Sequence, residues 1–319
     1  MLRQALAALL LATLPFAAAA SDWPKKPVKV IVNFTPGGPA EKLARIVAPG
    51  LGAELGVPIV VETRPGAGGN IGADFVAKSA ADGHTLLLSS GGLFSTNPHL
   101  FKSMGFAPLD DLAPVAAIAK VPFFLVVPSS LPVKSPAELL TLQKSLKHAL
   151  TYGSPGNGSA PHITAAQLAF TQGFEATHVA YKGAAPALTD LLAGQIHFLF
   201  DPGIALQHIP SGKLRALGVA SLQRHPNYPE IPTLVEQGLK DFDADSVFGL
   251  YAPKALAPEI LKRLESTLSK ILAETAIQTQ ILAIGNVPVA MGSAELDRKN
   301  RAESQKILAI VRKAGIQIE

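Results

Sequence analysis

The chain alternates short apolar runs with stretches of helical periodicity. Residues 28–34 are almost entirely apolar and predict a buried strand. A Gly/Pro-rich break follows, after which Leu43, Val47 and Leu51 recur at the spacing of one helix face. Because the order of strand, loop and helix repeats along the chain, the pattern predicts an α/β fold with mostly parallel sheets flanked by helices.

The same criteria predict the remaining elements. Further strands are expected at residues 57–63, 85–89, 123–127, 150–153, 176–181, 196–200, 214–220 and 247–251. Helices are expected at residues 40–55, 71–80, 136–147, 161–172, 186–193 and 258–274. Ser293 is a candidate cap for a last helix that ends before Gly315.

Residues 1–20 predict a Sec-type signal peptide that is cleaved before Ser21. Arg3 is their one charge, and the apolar run of residues 5–16 is too short to span a membrane. A buried N-terminal helix is the less favoured alternative, because polar residues follow the run at once. No later apolar run reaches about 18 residues, so we expect the mature protein to be soluble.

Composition narrows the range of functions. The 319 residues are 48% hydrophobic and 16% charged, which suits a large core and about two domains. The chain has no cysteine, which excludes disulfides, thiolate metal sites and cysteine nucleophiles. The net charge of +4 is small and the basic residues are dispersed, so we expect no nucleic-acid partner.

The motifs for cofactor, metal or hydrolase chemistry are weak. In residues 66–72, Ile71 stands where a dinucleotide loop requires its third glycine. The eight histidines form no H-E-x-x-H motif, and the sequence predicts neither a cofactor nor a metal. A secreted hydrolase has one local candidate pair, Ser159 with His162. A serine at this position is more commonly a helix cap.

Two strand–loop–helix units, at residues 28–55 and 150–172, share a Gly-rich loop and a proline in the first helical turn. Such loops lie at the carboxyl ends of strands, where α/β proteins bind ligands. The free N–H groups at a helix start bind carboxylate or phosphate. Two such sites could hold the two ends of one anionic ligand. The alternative is that the glycines and prolines only form tight turns.

The chain resembles a known family, the periplasmic receptors of tripartite tricarboxylate transporters (TctC-like or Bug proteins). The resemblance runs from Trp23 to the C-terminus. The matching stretches are WPKKPVKVIV (23–32), FTPGG (34–38), LAR (43–45), VETRPGAGGNIG (61–72), DGHTLL (82–87), NP (97–98), PV (114–115), YGSPGNGS (152–159), HVAYKG (178–183), FD (200–201), GKLRAL (212–217) and IPT (231–233).

The resemblance implies a monomeric, two-lobed periplasmic binding protein and not an enzyme. Lobe 1 is expected at residues 22–122 plus 252–319 and lobe 2 at residues 123–251, with hinges near residues 120–123 and 247–252. The family's ligands are small organic carboxylates, which a membrane permease receives. A sensor ectodomain as the partner is an open alternative.

The resemblance also implies a set of ligand-binding residues. They are Phe34, Thr35, Pro36, Gly37, Gly38, Ser89, Ser90, Gly91, Ser154, Gly156, Gly158, Ser159, Ala160, His162 and Asp201. Asp201 is expected either to order water and loop amides in the cleft or to cap a turn. Glu41 replaces an aspartate, and Asn33 and Thr35 replace prolines of the family pattern. These departures leave the identity of the carboxylate open.

Overall fold

The computed structural model describes residues 23–146, 149–240 and 242–314. The predicted signal peptide lies outside the described residues. The strands are β1 (Val28–Val32), β2 (Ile59–Thr63), β3 (Thr85–Ser90), β4 (Leu112–Val121), β5 (Phe124–Pro128), β6 (Leu150–Ser154), β7 (Ala176–Ala180), β8 (Phe198–Asp201), β9 (Leu214–Val219), β10 (Ser246–Pro253) and β11 (Val287–Gly292).

The α-helices carry the remaining regular structure. They are α1 (Pro39–Leu55), α2 (Asn70–Ala77), α3 (Gly92–Ser95), α4 (Asn97–Leu100), α5 (Pro108–Asp111), α6 (Pro136–Ser145), α7 (Ala160–Gln172), α8 (Ala184–Leu192), α9 (Pro258–Leu272), α10 (Thr275–Ala283) and α11 (Ser293–Ala314). Most predicted elements are found within a few residues of their expected bounds. The strands β4 and β11 and the helices α3, α4, α5 and α10 were not predicted.

The strands form two sheets. The first has the order β11-β4-β10-β3-β1-β2, and the second has the order β7-β6-β8-β5-β9. We call each sheet with its helices a lobe, so that α6, α7 and α8 belong to lobe 2. The two-lobed α/β fold expected from the sequence is confirmed.

The expectation of mostly parallel sheets is wrong, because both sheets are mixed. β1 pairs in parallel with β2 and β3, whereas β10 runs antiparallel to β3 and β4. β5 runs antiparallel to both β8 and β9. The chain passes from β4 directly into β5 and returns through β10, without a crossover helix. β4 leads out of the first sheet and β10 leads back into it, which fits the antiparallel pairing of these two strands.

The pairing of β10 differs from the expected end of lobe 2 at residue 251. β10 begins at Ser246 and pairs along its whole length within the first sheet. The sequence had placed residues 246–251 in lobe 2, so these residues fall on the other side of the expected boundary. The chain therefore crosses between the sheets at residues 122–123 and again between Val219 and Ser246.

Successive residues of β1 point to opposite faces of the first sheet. Val30 and Val32 pack in the cluster that contains Leu43 of α1, whereas Ile31 packs in the cluster that contains Val76 of α2. Helices therefore cover both faces, which explains the unbroken apolar run of this strand.

The helix α11 connects the two lobes. Its Ile307 and Val311 form a small cluster with Leu100 of α4 and Ile163 of α7. In the described part of the chain, no helix is both long and apolar enough to cross a membrane.

Candidate functional site

The first Gly-rich loop joins β1 to α1. Phe34 is half-buried and its ring lies 5.8 Å from that of Phe248, while Thr35, Pro36 and Gly37 are exposed. Gly37 has φ +84°, a conformation that favours glycine, and a Cβ there would meet no atom within 4 Å. Gly38 precedes the helix, and no side chain caps it. The loop is therefore open towards solvent.

One amide of this loop already has an anionic partner. The N–H of Gly37 donates to Oε2 of Glu41 over 2.7 Å, and Arg45 donates to the other carboxylate oxygen over 2.6 Å. The Gly37 amide and then the Arg45 guanidinium hold the pKa of Glu41 below its usual value. The sequence predicted free amides at this helix start, but the Gly37 amide is occupied by a carboxylate of the chain itself.

The second Gly-rich loop, between β6 and α7, is held by its own hydrogen bonds. Ser154 Oγ and Ser159 Oγ both donate to the carbonyl of Gly156, over 3.0 and 2.7 Å. The N–H of Gly158 donates to Nδ1 of His162 over 3.0 Å. Ser159 and His162 thus have separate partners, and the hydrogen bond that a hydrolase pair requires is not formed between them.

His178 is a site residue that the sequence analysis quoted only as part of a motif. Its Nε2 lies 2.7 Å from Oγ of Ser154, and its ring stacks on that of His162 with a centroid distance of 3.8 Å. The ring of Tyr152 also stacks on that of His178, with a centroid distance of 5.0 Å. Burial lowers the pKa of His178 to about 4, and burial together with His178 lowers the pKa of His162 to about 4. Both rings are therefore neutral near pH 7.

Asp201 ends β8 and caps the turn that follows. It is 1% exposed, and its Oδ1 accepts from the N–H groups of Gly203 and Ala205, over 2.7 Å each. Burial raises its pKa to about 7, although the two amides oppose this shift. Asp201 and Ser154 line one small cavity within lobe 2. The capping role left open by the sequence is therefore present, and its contact with a ligand stays a prediction.

A larger cavity lies between the lobes and contains about 560 Å³ of space, including space open to solvent. We call it the interlobe cavity. Its walls come from the start of α3, the first three turns of α7, the segment that leads into β10, and α11. The lining residues are Gly91, Gly92, Ser95, Thr96, Ala160, Ile163, Thr164, Gln167, Asp243, Ala244, Asp245, Ser246, Val247, Lys299, Asn300, Glu303 and Ile307.

The predicted binding residues reach the interlobe cavity only in part. Gly91 and Ala160 line it, from lobe 1 and lobe 2 respectively. Ser89 and Ser90 are buried in β3, immediately before Gly91, whose N–H donates to Val247 O over 2.8 Å. The remaining predicted residues are not among those that line it.

Asp245 stands where the chain returns to the first sheet, and no sequence motif pointed to it. It accepts a hydrogen bond from Ser221 of lobe 2, and Lys120 Nζ of β4 lies 4.0 Å from its other oxygen. Burial is the main cause that raises its pKa to about 6. Within residues 23–146, 149–240 and 242–314, no group of three His, Asp or Glu side chains is placed to hold a metal ion.

Curated relatives match nearly the whole chain in sequence. The protein BugT of Bordetella pertussis is 34% identical to this chain over 303 residues, which cover 94% of this chain and 93% of BugT. The protein in the tcbD-tcbE intergenic region of Pseudomonas sp. strain P51 is 34% identical over 293 residues, covering 90% of this chain and 86% of that protein.

Solved structures agree closely with the fold. The R. palustris protein Rpa4515 with adipate has a TM-score of 0.86 at 33% identity, covering 93% of this chain and all of that one. MatC from Rhodopseudomonas palustris with bound malate has a TM-score of 0.81 at 29% identity, covering 91% of this chain and 100% of MatC. The family described as "Tripartite tricarboxylate transporter family receptor" matches residues 43–316. The chain therefore belongs to this family of periplasmic solute-binding receptors.

Proposed function

We propose that the protein captures a small organic carboxylate between its two lobes and delivers it to a membrane permease. The observation that carries this proposal is the interlobe cavity, which has the start of α7 on one side and the Gly91–Gly92 turn on the other. The free N–H groups and the dipole of a helix start favour a carboxylate. The structural relatives with adipate and malate support the same ligand class.

Capture requires binding and closure, without bond making. In the proposal, the lobes close on the ligand about the two crossings, and the permease recognises the closed form. The loop residues Phe34 to Gly38 and Ser154 to Ala160 close over the ligand from opposite lobes. A signal peptide of residues 1–20 directs the chain to the periplasm, where it acts as a monomer.

The binding step is tested by thermal unfolding of mature protein that has been refolded to remove carried-over ligand. The panel contains C4 to C6 dicarboxylates, citrate, acidic amino acids and benzoate, with sugars and inorganic phosphate as controls. A ligand at 100 times its Kd stabilises the fold by about 2.7 kcal/mol, which is a shift of several degrees. A shift with one or more carboxylates supports the proposal, and a response confined to sugars or phosphate contradicts it.

The delivery step is tested by uptake of the radiolabelled ligand into membrane vesicles that contain the partner permease. Uptake that depends on added purified protein supports delivery. Binding without any stimulation of uptake supports the sensor alternative. Incubation of the ligand with the protein, followed by mass spectrometry, tests the hydrolase alternative, and we expect the ligand to be recovered intact.

A further inference from the structure

Four uncharged polar side chains line the interlobe cavity without a partner. Ser95, Thr96, Gln167 and Ser246 are 4%, 3%, 8% and 7% exposed. Among the described residues, none of these side chains makes a hydrogen bond. Their polar atoms still reach the open cavity, since none of them is among the fully buried side-chain atoms that lack a partner. A ligand that fills the cavity displaces water from these four groups and therefore has to supply hydrogen bonds in its place.

Two neighbouring polar residues of the same cavity differ in this respect. Thr164 Oγ1 donates to Ala160 O over 2.8 Å, and Asn300 Nδ2 donates to the Tyr251 hydroxyl over 3.3 Å. The cavity is thus not simply a region in which polar side chains lack partners. The unpaired groups come from α3 and its end, from α7 and from β10, so both lobes contribute to them.

The charges around these groups are balanced. Three carboxylates line the cavity, those of Asp243, Asp245 and Glu303, together with the ammonium of Lys299. Two further lysines are adjacent: Lys120 Nζ lies 4.0 Å from Asp245, and Lys306 Nζ lies 3.7 Å from Glu303. Three positive charges thus face three negative ones. An additional ammonium substituent on the ligand gains little there, whereas a neutral group that both donates and accepts fits the unpaired side chains.

The helix α7 carries both the proposed carboxylate position, at its start, and one of the unpaired side chains, that of Gln167. Ala160, Thr164 and Gln167 follow each other at intervals of four and three residues, so they share one helix face. Gln167 lies about 10 Å further along the helix axis than Ala160. An acid whose carboxylate lies at the start of α7 and whose chain follows this face therefore points its remaining atoms towards the unpaired groups.

We propose that Ser95, Thr96, Gln167 and Ser246 form a subsite for hydroxyl groups, and that the protein selects hydroxylated carboxylates over unsubstituted ones. This inference rests on the proposed function and specifies its substrate class. The hydroxyl group is the neutral substituent that can both donate to and accept from these side chains.

The test uses acids that differ only in their substituents. Calorimetric titrations compare succinate with malate and aspartate, and adipate with its tetrahydroxy derivative galactarate. We expect the hydroxylated acid of at least one pair to bind about tenfold more tightly, as a net gain of one or two hydrogen bonds implies. We also expect aspartate to bind no better than malate, because the charges of the cavity are balanced.

Variants locate the preference. Gln167→Met and Ser246→Ala each remove one unpaired group, and each is expected to reduce the preference for the hydroxylated acid severalfold. Gln172→Met is the matched control, since Gln172 lies on the same helix and does not line the cavity. It is expected to keep the preference. Thermal unfolding without ligand verifies that each variant is folded.

Three results overturn the inference. The first is equal affinity within both pairs of acids, with binding itself intact, which leaves the proposed function standing. The second is a preference that persists in both Gln167→Met and Ser246→Ala. The third is tighter binding of aspartate than of malate, which assigns the subsite to an ammonium group. If no acid of either series binds to the wild type, the proposed function fails and the inference fails with it.

Discussion

The imidazole rings of His162 and His178 lie face to face, with centroids 3.8 Å apart and an angle of 6° between their planes. His162 Nδ1 accepts the N–H of Gly158, so this nitrogen carries no proton. Two charged imidazoles at this distance repel each other strongly. The second Gly-rich loop therefore depends on both rings being neutral.

This stack makes the stability of the protein sensitive to acid. The two histidine pKa values fall from 6.5 to about 4 in the folded state, so between these values the unfolded chain binds more protons. The contribution to stability is complete above about pH 6.5 and is lost as the pH falls towards 4. Urea unfolding at several pH values is expected to show a shallower acid loss in His178→Phe. His208→Phe, outside the stack, is expected to keep the loss of the wild type.

Asp201 is predicted to act in the opposite direction over the same pH range. Its pKa rises from 3.8 to about 7 on folding, so the folded state binds the extra proton. Its contribution is complete below about pH 4 and is lost as the pH rises through 7. We expect Asp201→Asn to gain stability relative to the wild type between pH 5 and pH 8. A stability difference that does not change with pH contradicts this account of Asp201.

The loop glycines give a test that separates strain from function. Gly37 has φ +84° and Gly212 has φ +70°, and a Cβ meets no atom within 4 Å at either position. Gly37→Val and Gly212→Val are both expected to lower the free energy of unfolding by about 1–2 kcal/mol, through the same backbone strain. Only Gly37→Val is expected to abolish carboxylate binding, with its circular dichroism spectrum largely unchanged. Equal carboxylate affinities in the two variants contradict a role of the first Gly-rich loop in ligand binding.

Gly158→Val gives the same test for the second loop. Gly158 has φ +75° and is buried, and its N–H holds the ring of His162 in place. We expect a loss of ligand affinity together with a folded circular dichroism spectrum. Unchanged titration curves in this variant argue against a role for the second loop.

Glu41 is predicted to compete with the ligand carboxylate for the Gly37 amide. Glu138 provides a close control, since it accepts from the N–H of Lys134 four residues before it, also over 2.7 Å, at the start of α6. Glu41→Ala and Glu138→Ala each lose one such bond, at a cost of about 1 kcal/mol in unfolding. We expect a severalfold higher affinity for carboxylates in Glu41→Ala and no change in Glu138→Ala. A lower affinity in Glu41→Ala means that this side chain positions the loop for binding.

The order of elements could be predicted because each depends on local pattern. The continuous apolar run of β1 and the helical spacing of Leu43, Val47 and Leu51 are visible without any tertiary information. β4 was not predicted because alanines dominate its centre, and its burial comes from neighbouring strands on both sides. The antiparallel direction of β10 was not predicted either, because strand direction depends on how the chain connects the two sheets.

The candidate site was less accessible to sequence reasoning for a related reason. Gly-rich loops can be identified in the sequence, but the residues that form hydrogen bonds with them cannot. His178 lies 24 positions after Ser154, and Glu41 takes the Gly37 amide through a side-chain geometry that no motif records. The interlobe cavity joins Thr96, Gln167 and Ser246, which come from three distant parts of the chain. Only the fold brings these residues together.

Amide NMR tests the central claim most directly. Mature ¹⁵N-labelled protein is titrated with the acid that gives the largest thermal shift, and backbone amide signals are followed. The account predicts that the largest changes occur at Gly91, Gly92, Ala160 and Thr164, around the interlobe cavity. Changes confined to residues away from this cavity, or none with any acid of the panel, contradict the claim that a carboxylate binds between the lobes.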